Sequence, residues 1–199
     1  MNKHQLWHLD RVDRIGGFPA EVVGAPRRVE GPSASALLFD GVSDGLVLAC
    51  NPILDAAAFT IEAVFRPDAE GAAEQRFFHI QEDRSDNRVL LETRLTSDGR
   101  WYADSYIQCG SEKQALNDPA LTHPLGVWHV FALVCDGREM TQYVNGRREL
   151  SAPIAFLPQG PGRVSIGMRI NRVYWFKGAI RLVRITRACL PEAELLRAG

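Results

Sequence analysis

The residues of this chain that could do chemistry are spaced two apart, the repeat of a strand rather than a helix. In RVLLETRL (88–95), Arg88, Leu90, Glu92 and Arg94 alternate with a largely apolar row of Val89, Leu91, Thr93 and Leu95. In RWYADSYIQ (100–108), Tyr102, Asp104, Tyr106 and Gln108 form a polar and aromatic row. In RFFHIQE (76–82), strict alternation puts Phe78 and Ile80 on one side and Phe77, His79 and Gln81 on the other. In FTIEAVFR (59–66), Phe59, Ile61, Ala63 and Phe65 oppose Thr60, Glu62, Val64 and Arg66.

Strands consecutive in sequence are expected as neighbours in one sheet. One face would then carry Glu62, His79, Gln81, Glu92, Arg94, Tyr102, Asp104 and Tyr106. Carboxylates, amides and guanidinium groups bond hydroxyls in pairs, and aromatic rings stack on the apolar faces of sugars. The expected function is therefore a carbohydrate groove. The same residues could cleave a glycan. Glu62, Glu92 and Asp104 could supply an acid and a base, because strands about 4.8 Å apart permit the roughly 5–5.5 Å carboxyl separation of a retaining glycosidase. His79 is the fourth catalytic candidate. A lyase would use His79 or Tyr102 as base, with Arg94 and Gln81 on the substrate carboxylate. The plain alternative is a solvated or self-paired face, with Glu92 and Arg94 in cross-strand ion pairs worth a few tenths of a kcal/mol. A protein-interaction domain working through its loop tips is then the third reading.

A second cluster lies in GMRINRVYWFKG (167–178), where Arg169, Asn171, Arg172, Tyr174 and Trp175 share one connection or bulged strand. Two arginines beside aromatics suit an acidic sugar or another carboxylate. Alternatively, Trp175 or Phe176 plugs the core and the arginines pair with nearby acids. In THPLGVWH (122–129), Trp128 is expected in the core, and His129 is open to either role.

The elements that must hold these residues are short strands separated by turn chemistry. Expected strands are 5–11, 36–39, 45–49, 59–66, 76–81, 88–95, 100–108, 127–135, 138–144, 163–168 and 176–186. Asp98-Gly99, Asp136-Gly137 and Asn145-Gly146 favour the positive φ of hairpin turns. The stretches 24–35 and 110–126 are expected as loops. Only the tail LPEAELLRAG reads as helix, with Pro191 at its start and Gly199 after its end. Many strands with regular turns predict an all-β antiparallel sandwich with a short C-terminal helix. No linker divides the 199 residues, so one domain over 1–199 is expected.

Composition narrows the partners. Apolar residues make up 46% and charged residues 24%, which excludes a disordered chain. The 23 basic and 24 acidic residues leave a net charge of −1, so no general positive field exists to hold nucleic acid or anionic lipid. Most of the basic residues are arginine, the better bidentate partner for carboxylates. The expected partner is an oligo- or polysaccharide, acidic ones included, and neither nucleic acid nor a membrane. No apolar run reaches the roughly 18 residues of a span. The start MNKHQLWHLDRVDR has no apolar core, so the cytoplasm is the expected compartment, with secretion the alternative if a leader has been removed. Cys50, Cys109, Cys135 and Cys189 form no CxxC pair, and no metal or cofactor is expected.

Four blocks carry a resemblance. They are ALLFDGVSDGLVLA (36–49), FTIEAVFRP (59–67), VWHVFALVCDGREMTQYVNGRRE (127–149) and VSIGMRINRVYWFKGAIRLVRITRACL (164–190). In this order, across about four fifths of the chain, they resemble laminin-G-like domains of the concanavalin A-like lectin/glucanase superfamily. The resemblance implies a jelly roll of one convex and one concave antiparallel sheet. It leaves function open, because such domains include sugar-binding modules, protein-binding modules, glycoside hydrolases and polysaccharide lyases. The chain lacks the E-x-D-x-x-E strand of the laminarinase-like hydrolases. Where many relatives carry an acidic residue near a structural calcium, it has Arg181. That disfavours calcium, which needs hard oxygen ligands. Arg181 is then expected to pair with Asp40 or Asp44, unless Asp40-Gly41 is simply a turn.

Overall fold

The computed structural model describes residues 4–197. Its strands are β1 (His4–His8), β2 (Arg14–Ile15), β3 (Phe18–Val23), β4 (Arg27–Glu30), β5 (Ser35–Asp40), β6 (Gly45–Leu48), β7 (Phe59–Pro67) and β8 (Glu74–Glu82). They continue with β9 (Arg88–Leu95), β10 (Arg100–Cys109), β11 (Glu112–Pro124), β12 (His129–Cys135), β13 (Glu139–Val144), β14 (Arg147–Pro153), β15 (Gly162–Ile166) and β16 (Lys177–Thr186). Two antiparallel sheets form. The first runs β11-β10-β9-β8-β15-β6-β3-β2, and the second β14-β13-β12-β7-β16-β5-β4, with β1 also on β16.

The inner rows of both sheets meet in one core that includes Trp7, Phe39, Phe59, Phe65, Phe78, Trp101 and Phe131. The hairpin turns form as expected, with positive φ at Gly99, Gly137, Asn145 and Gly146. Among the described residues no helix is long and apolar enough to cross a membrane.

Several expectations are corrected. Phe77 does not face outward with His79. The β8–β9 register shifts between Arg76 and Phe78, so both phenylalanines point inward, and Phe77 stacks on Phe65 with ring centroids 4.5 Å apart. The same bulge moves Arg76 to the outer face beside His79. Glu62 does not share a sheet with His79, Glu92 and Asp104. Its strand β7 lies between β12 and β16 in the second sheet.

Segments expected as loops pair as β4 and β11, and β2, β3 and β14 form where no strand was expected. β11 is an edge strand whose register on β10 breaks between Asn117 and Thr122, which accommodates Pro119. Polar β14 closes the edge of the second sheet. The C-terminal helix is reduced to one 3-10 turn, Glu192–Glu194. Tertiary contacts hold the tail open instead: Leu190 and Leu195 pack on Ala132 and Val134, and Arg184 donates to the Glu194 carbonyl at 2.7 Å. Gly199, expected to end the helix, lies outside the described residues.

Arg181 reaches neither aspartate. It occupies a bulge in β16 and faces Val64, Trp128 and Arg197 on the outer side of the second sheet. Asp40 serves its own turn, accepting from the N–H groups of Val42, Ser43 and Asp44 at 2.8, 2.8 and 2.9 Å. Burial opposes its charge, but those N–H groups hold its carboxyl down to about 2.

Candidate functional site

Strand register places the polar side chains of β8 to β11 in rows across the outer face of the first sheet. Glu74, Arg94, Tyr102 and Thr122 form one row, and Arg76, Glu92, Asp104 and Asn117 the next. His79, Leu90, Tyr106 and Ala115 follow, then Gln81, Arg88, Gln108 and Lys113. A hollow of about 290 Å³ opens over the middle of this lattice, between the Arg76–Glu92–Asp104 row and Arg88.

The connection between β15 and β16 forms one wall and brings Arg169 to the hollow. It turns away from β15 at Gly167, whose φ is 82° and where a Cβ would run into the Phe39 ring. It lies along β8, accepting from Arg76 N–H at the Tyr174 carbonyl (2.9 Å) and donating Ile170 N–H to His79 Nδ1 (3.0 Å). Arg172 and Tyr174 both adopt left-handed φ, 60° and 57°, each costing roughly 1–2 kcal/mol. This geometry seats the Tyr174 ring 3.7 Å from the Arg76 guanidinium carbon.

One half of the hollow is paired within itself. Arg94 donates from Nε to Asp104 Oδ2 at 2.8 Å, and its Nη1 lies 2.5 Å from Glu74 Oε1. Arg76 Nη1 donates to Glu74 at 3.0 Å. Its Nε lies 2.9 Å from Glu92 Oε2, a charge contact too poorly aligned for a hydrogen bond. Glu92 and Asp104 are almost wholly buried. Burial pushes the Glu92 carboxyl up to about 7, with Arg76 opposing and Asp104 adding to the rise. Burial also raises Asp104, against the pull of Arg94.

The other half is open. Arg88 has no carboxylate partner among the described residues. Its bonds go to the Asp86 carbonyl at 3.1 Å and the Tyr106 hydroxyl at 3.4 Å. Tyr106 in turn donates to Gln108 Oε1 at 3.1 Å. Arg169 makes no side-chain hydrogen bond or ion pair among the described residues. His79 lies fully buried between Leu90 on β9 and Ser165 on β15. Its Nδ1 accepts the Ile170 N–H, so the neutral ring carries its proton on Nε2, which has no acceptor. Burial, with the charges of Arg169, Arg88 and Arg76, holds its pKa down to about 3. A ring so placed is a fixed donor, not the base of a lyase.

Of the candidate residues, Glu92, Arg94, Asp104, Tyr106 and Arg169 line the hollow. His79 and Tyr102 share its face, and Gln81 stands at its margin, turned to the Ser85 carbonyl at 3.4 Å. Others fall elsewhere. Glu62 is fully buried on the outer side of the second sheet, with Arg184 donating to both its oxygens and Leu196 N–H to Oε1 at 2.6 Å. Arg172 pairs with Glu21 at 2.6 Å, Asn171 is exposed, and Trp175 is half-buried outside the hollow. Phe176 takes the core position beside Phe39. His129 is buried against Trp101.

Sequence reasoning missed Arg76 and Asn117, named Arg88 only as a member of its strand row, and set Tyr174 in the second cluster. Alternation had put Arg88 in the right row. The bulge hid Arg76, and the irregular edge strand hid Asn117.

The fold has solved counterparts. Domain 4 of AbnA, a GH43 extracellular arabinanase from Geobacillus stearothermophilus, in complex with arabinotriose, superposes with a TM-score of 0.73 at 18% identity, covering 96% of each chain. The binding domain of Paraclostridial Mosquitocidal Protein 1 gives 0.73 at 13% identity, over 97% of this chain and 51% of that one. The binding domain of Botulinum Neurotoxin DC in complex with SialylT gives 0.67 at 12%, over 96% and 50%. The chain thus spans about half the length of the last two. No curated protein sequence matches it. In sequence, the match is to a family model covering residues 40–196, and the chain belongs to that family, Laminin_G_3 of the Concanavalin A-like lectin/glucanases superfamily.

Proposed function

We propose that this chain is a carbohydrate-binding, lectin-like domain that takes an oligosaccharide across the hollow between Arg88, Tyr106 and Arg169. The observation that carries this reading is the division of the hollow. Its acids are spent on Arg76 and Arg94, whereas Arg88 and Arg169 line it without a carboxylate partner beside Tyr106, and the His79 Nε2–H is buried without an acceptor in the same strand row as that ring. Sugar hydroxyls and acidic groups accept from such donors, while the Tyr106 ring, with the Arg88 guanidinium 5.0 Å from its centroid, and exposed Ala115 beside it offer apolar surface. The arabinotriose and SialylT held by two structural counterparts support a saccharide as the ligand class. The abundance of arginine favours acidic glycans.

One observation favours a second reading. Glu92, with its carboxyl near pH 7, directly faces Asp104 across β9 and β10. A protonated acid beside a second carboxyl could serve glycoside cleavage. Native mass spectrometry with a mixed panel of neutral and acidic oligosaccharides tests both readings. Intact adducts are expected, reduced by Arg88→Gln. Shortened products that disappear in Glu92→Gln would replace the lectin with a glycan-cleaving enzyme. Neither adducts nor products would remove the saccharide reading in favour of a protein partner.

A further inference from the structure

We infer that the open half of the hollow is a seat for one carboxylate, the acidic group of a uronate-type sugar, held by Arg88 and Arg169 over His79. The inference rests on the saccharide reading and names its ligand class. Four guanidinium groups line the hollow, those of Arg76, Arg88, Arg94 and Arg169. The three carboxylates in reach are Glu74, Glu92 and Asp104, and all three are engaged by Arg76 and Arg94. Arg88 and Arg169 therefore keep uncompensated charge at the hollow, and both act electrostatically on His79.

His79 adds an independent sign. Its tautomer is fixed by Ile170 N–H, and its Nε2–H is buried without an acceptor. Buried donors in folded proteins are almost always satisfied, so an unsatisfied one on the face that carries two arginines without carboxylate partners, both acting electrostatically on its ring, points to an acceptor that arrives with the ligand. The Nε of Arg88 is likewise buried without a hydrogen bond. A carboxylate suits this set. It is planar, it takes two parallel bonds from a guanidinium fork, and its remaining lone pairs accept a further N–H. Leu90 and Ala115 flank Tyr106 in the same row and leave room for the sugar ring that carries it.

The test is nuclear magnetic resonance of the full chain labelled to show arginine Nε–H and histidine ring signals. The probes are methyl glucuronoside, its methyl ester, methyl glucoside and a sulfated methyl glucoside, followed by a panel of neutral oligosaccharides. The glucuronoside is expected to shift the signals of Arg88, Arg169 and His79 saturably. The ester and the glucoside should bind at least about tenfold more weakly. Arg169→Gln should cost a similar factor without lowering the melting temperature, and Arg172→Gln should cost nothing. Equal binding of ester and acid, or binding of the sulfated sugar alone, would overturn the carboxylate seat. If neutral oligosaccharides shift the hollow's signals and the glucuronoside does not, the seat fails while the lectin reading stands. If no saccharide moves any signal of the hollow, both fail.

Discussion

Asp104 stands directly opposite Glu92 across the β9–β10 pair, and the single guanidinium of Arg94 reaches both, 2.8 Å from Asp104 Oδ2 and 3.5 Å from Glu92 Oε2. Two carboxyls this close and this buried need a shared cation. Arg94 is thus part of the scaffold of the hollow before it is part of any ligand contact.

Replacing Arg94 with leucine should destabilise the protein by about 3–5 kcal/mol, because Asp104 loses its ion-pair partner and Glu92 one of two. Removing the charges together, with Glu92→Gln and Asp104→Asn added to Arg94→Leu, should recover much of that loss. Urea unfolding of the single and triple variants measures both. A single variant within about 1 kcal/mol of the wild type would show the network to be ordinary surface pairing.

Glu92 should make stability depend on pH in an unusual direction for a carboxyl. Its folded pKa, about 7, lies above the ordinary glutamate value of 4.5. The folded protein therefore holds the proton more tightly, and the contribution, full below about 4.5, is lost as pH rises through 7. His79 works in the opposite sense, because its folded pKa of about 3 lies below the ordinary histidine value of 6.5. Its contribution is gained as pH rises from 3 to 6.5, so the two partly cancel in the wild type. The difference in melting temperature between wild type and Glu92→Gln isolates the first. The wild type should lose ground to the variant between pH 4.5 and 7. A difference that is flat or grows with pH would contradict the raised pKa.

Glu62 provides the control. It is fully buried against Arg184 on the opposite sheet. Arg184→Leu should cost about 3–5 kcal/mol by stranding that carboxylate, yet leave saccharide adducts unchanged at temperatures where the variant is folded. Adducts lost from a folded variant would place the binding site on the wrong sheet.

Phe77→Ala should cost about 3–5 kcal/mol as a core truncation, because the β8 bulge turns its ring onto Phe65 and Phe131. A cost below about 1 kcal/mol in thermal unfolding would mean that Phe77 is not packed inside.

What was legible in the chain follows from these same residues. The period of two put Glu92, Arg94, Asp104 and Tyr106 on one face because β9 and β10 form a regular hairpin with unbroken register. It failed at β8, where one extra residue between Arg76 and Phe78 reversed the phase, and a bulge leaves no mark in an alternating pattern. Glu62 was grouped with the wrong face because adjacency in sequence stands for adjacency in a sheet only when the chain does not cross the sandwich. After β7 it does cross. Arg169 and Arg172 look alike in sequence. Only the left-handed residues of the connection, Arg172 itself and Tyr174, send one arginine to the hollow and the other to Glu21. The edge strand β11 was unreadable because an edge tolerates prolines and polar residues on both faces.

The most direct measurement is to map where a bound saccharide lies, by solving the structure of the protein with the tightest-binding member of the oligosaccharide panel. Sugar density is expected over the hollow, with acceptor oxygens within hydrogen-bond distance of Arg88 and Arg169 and a sugar ring against Tyr106. A saccharide seated instead at the hairpin tips around Asp136-Gly137, or against Trp128 and Arg181 on the other sheet, would contradict this placement.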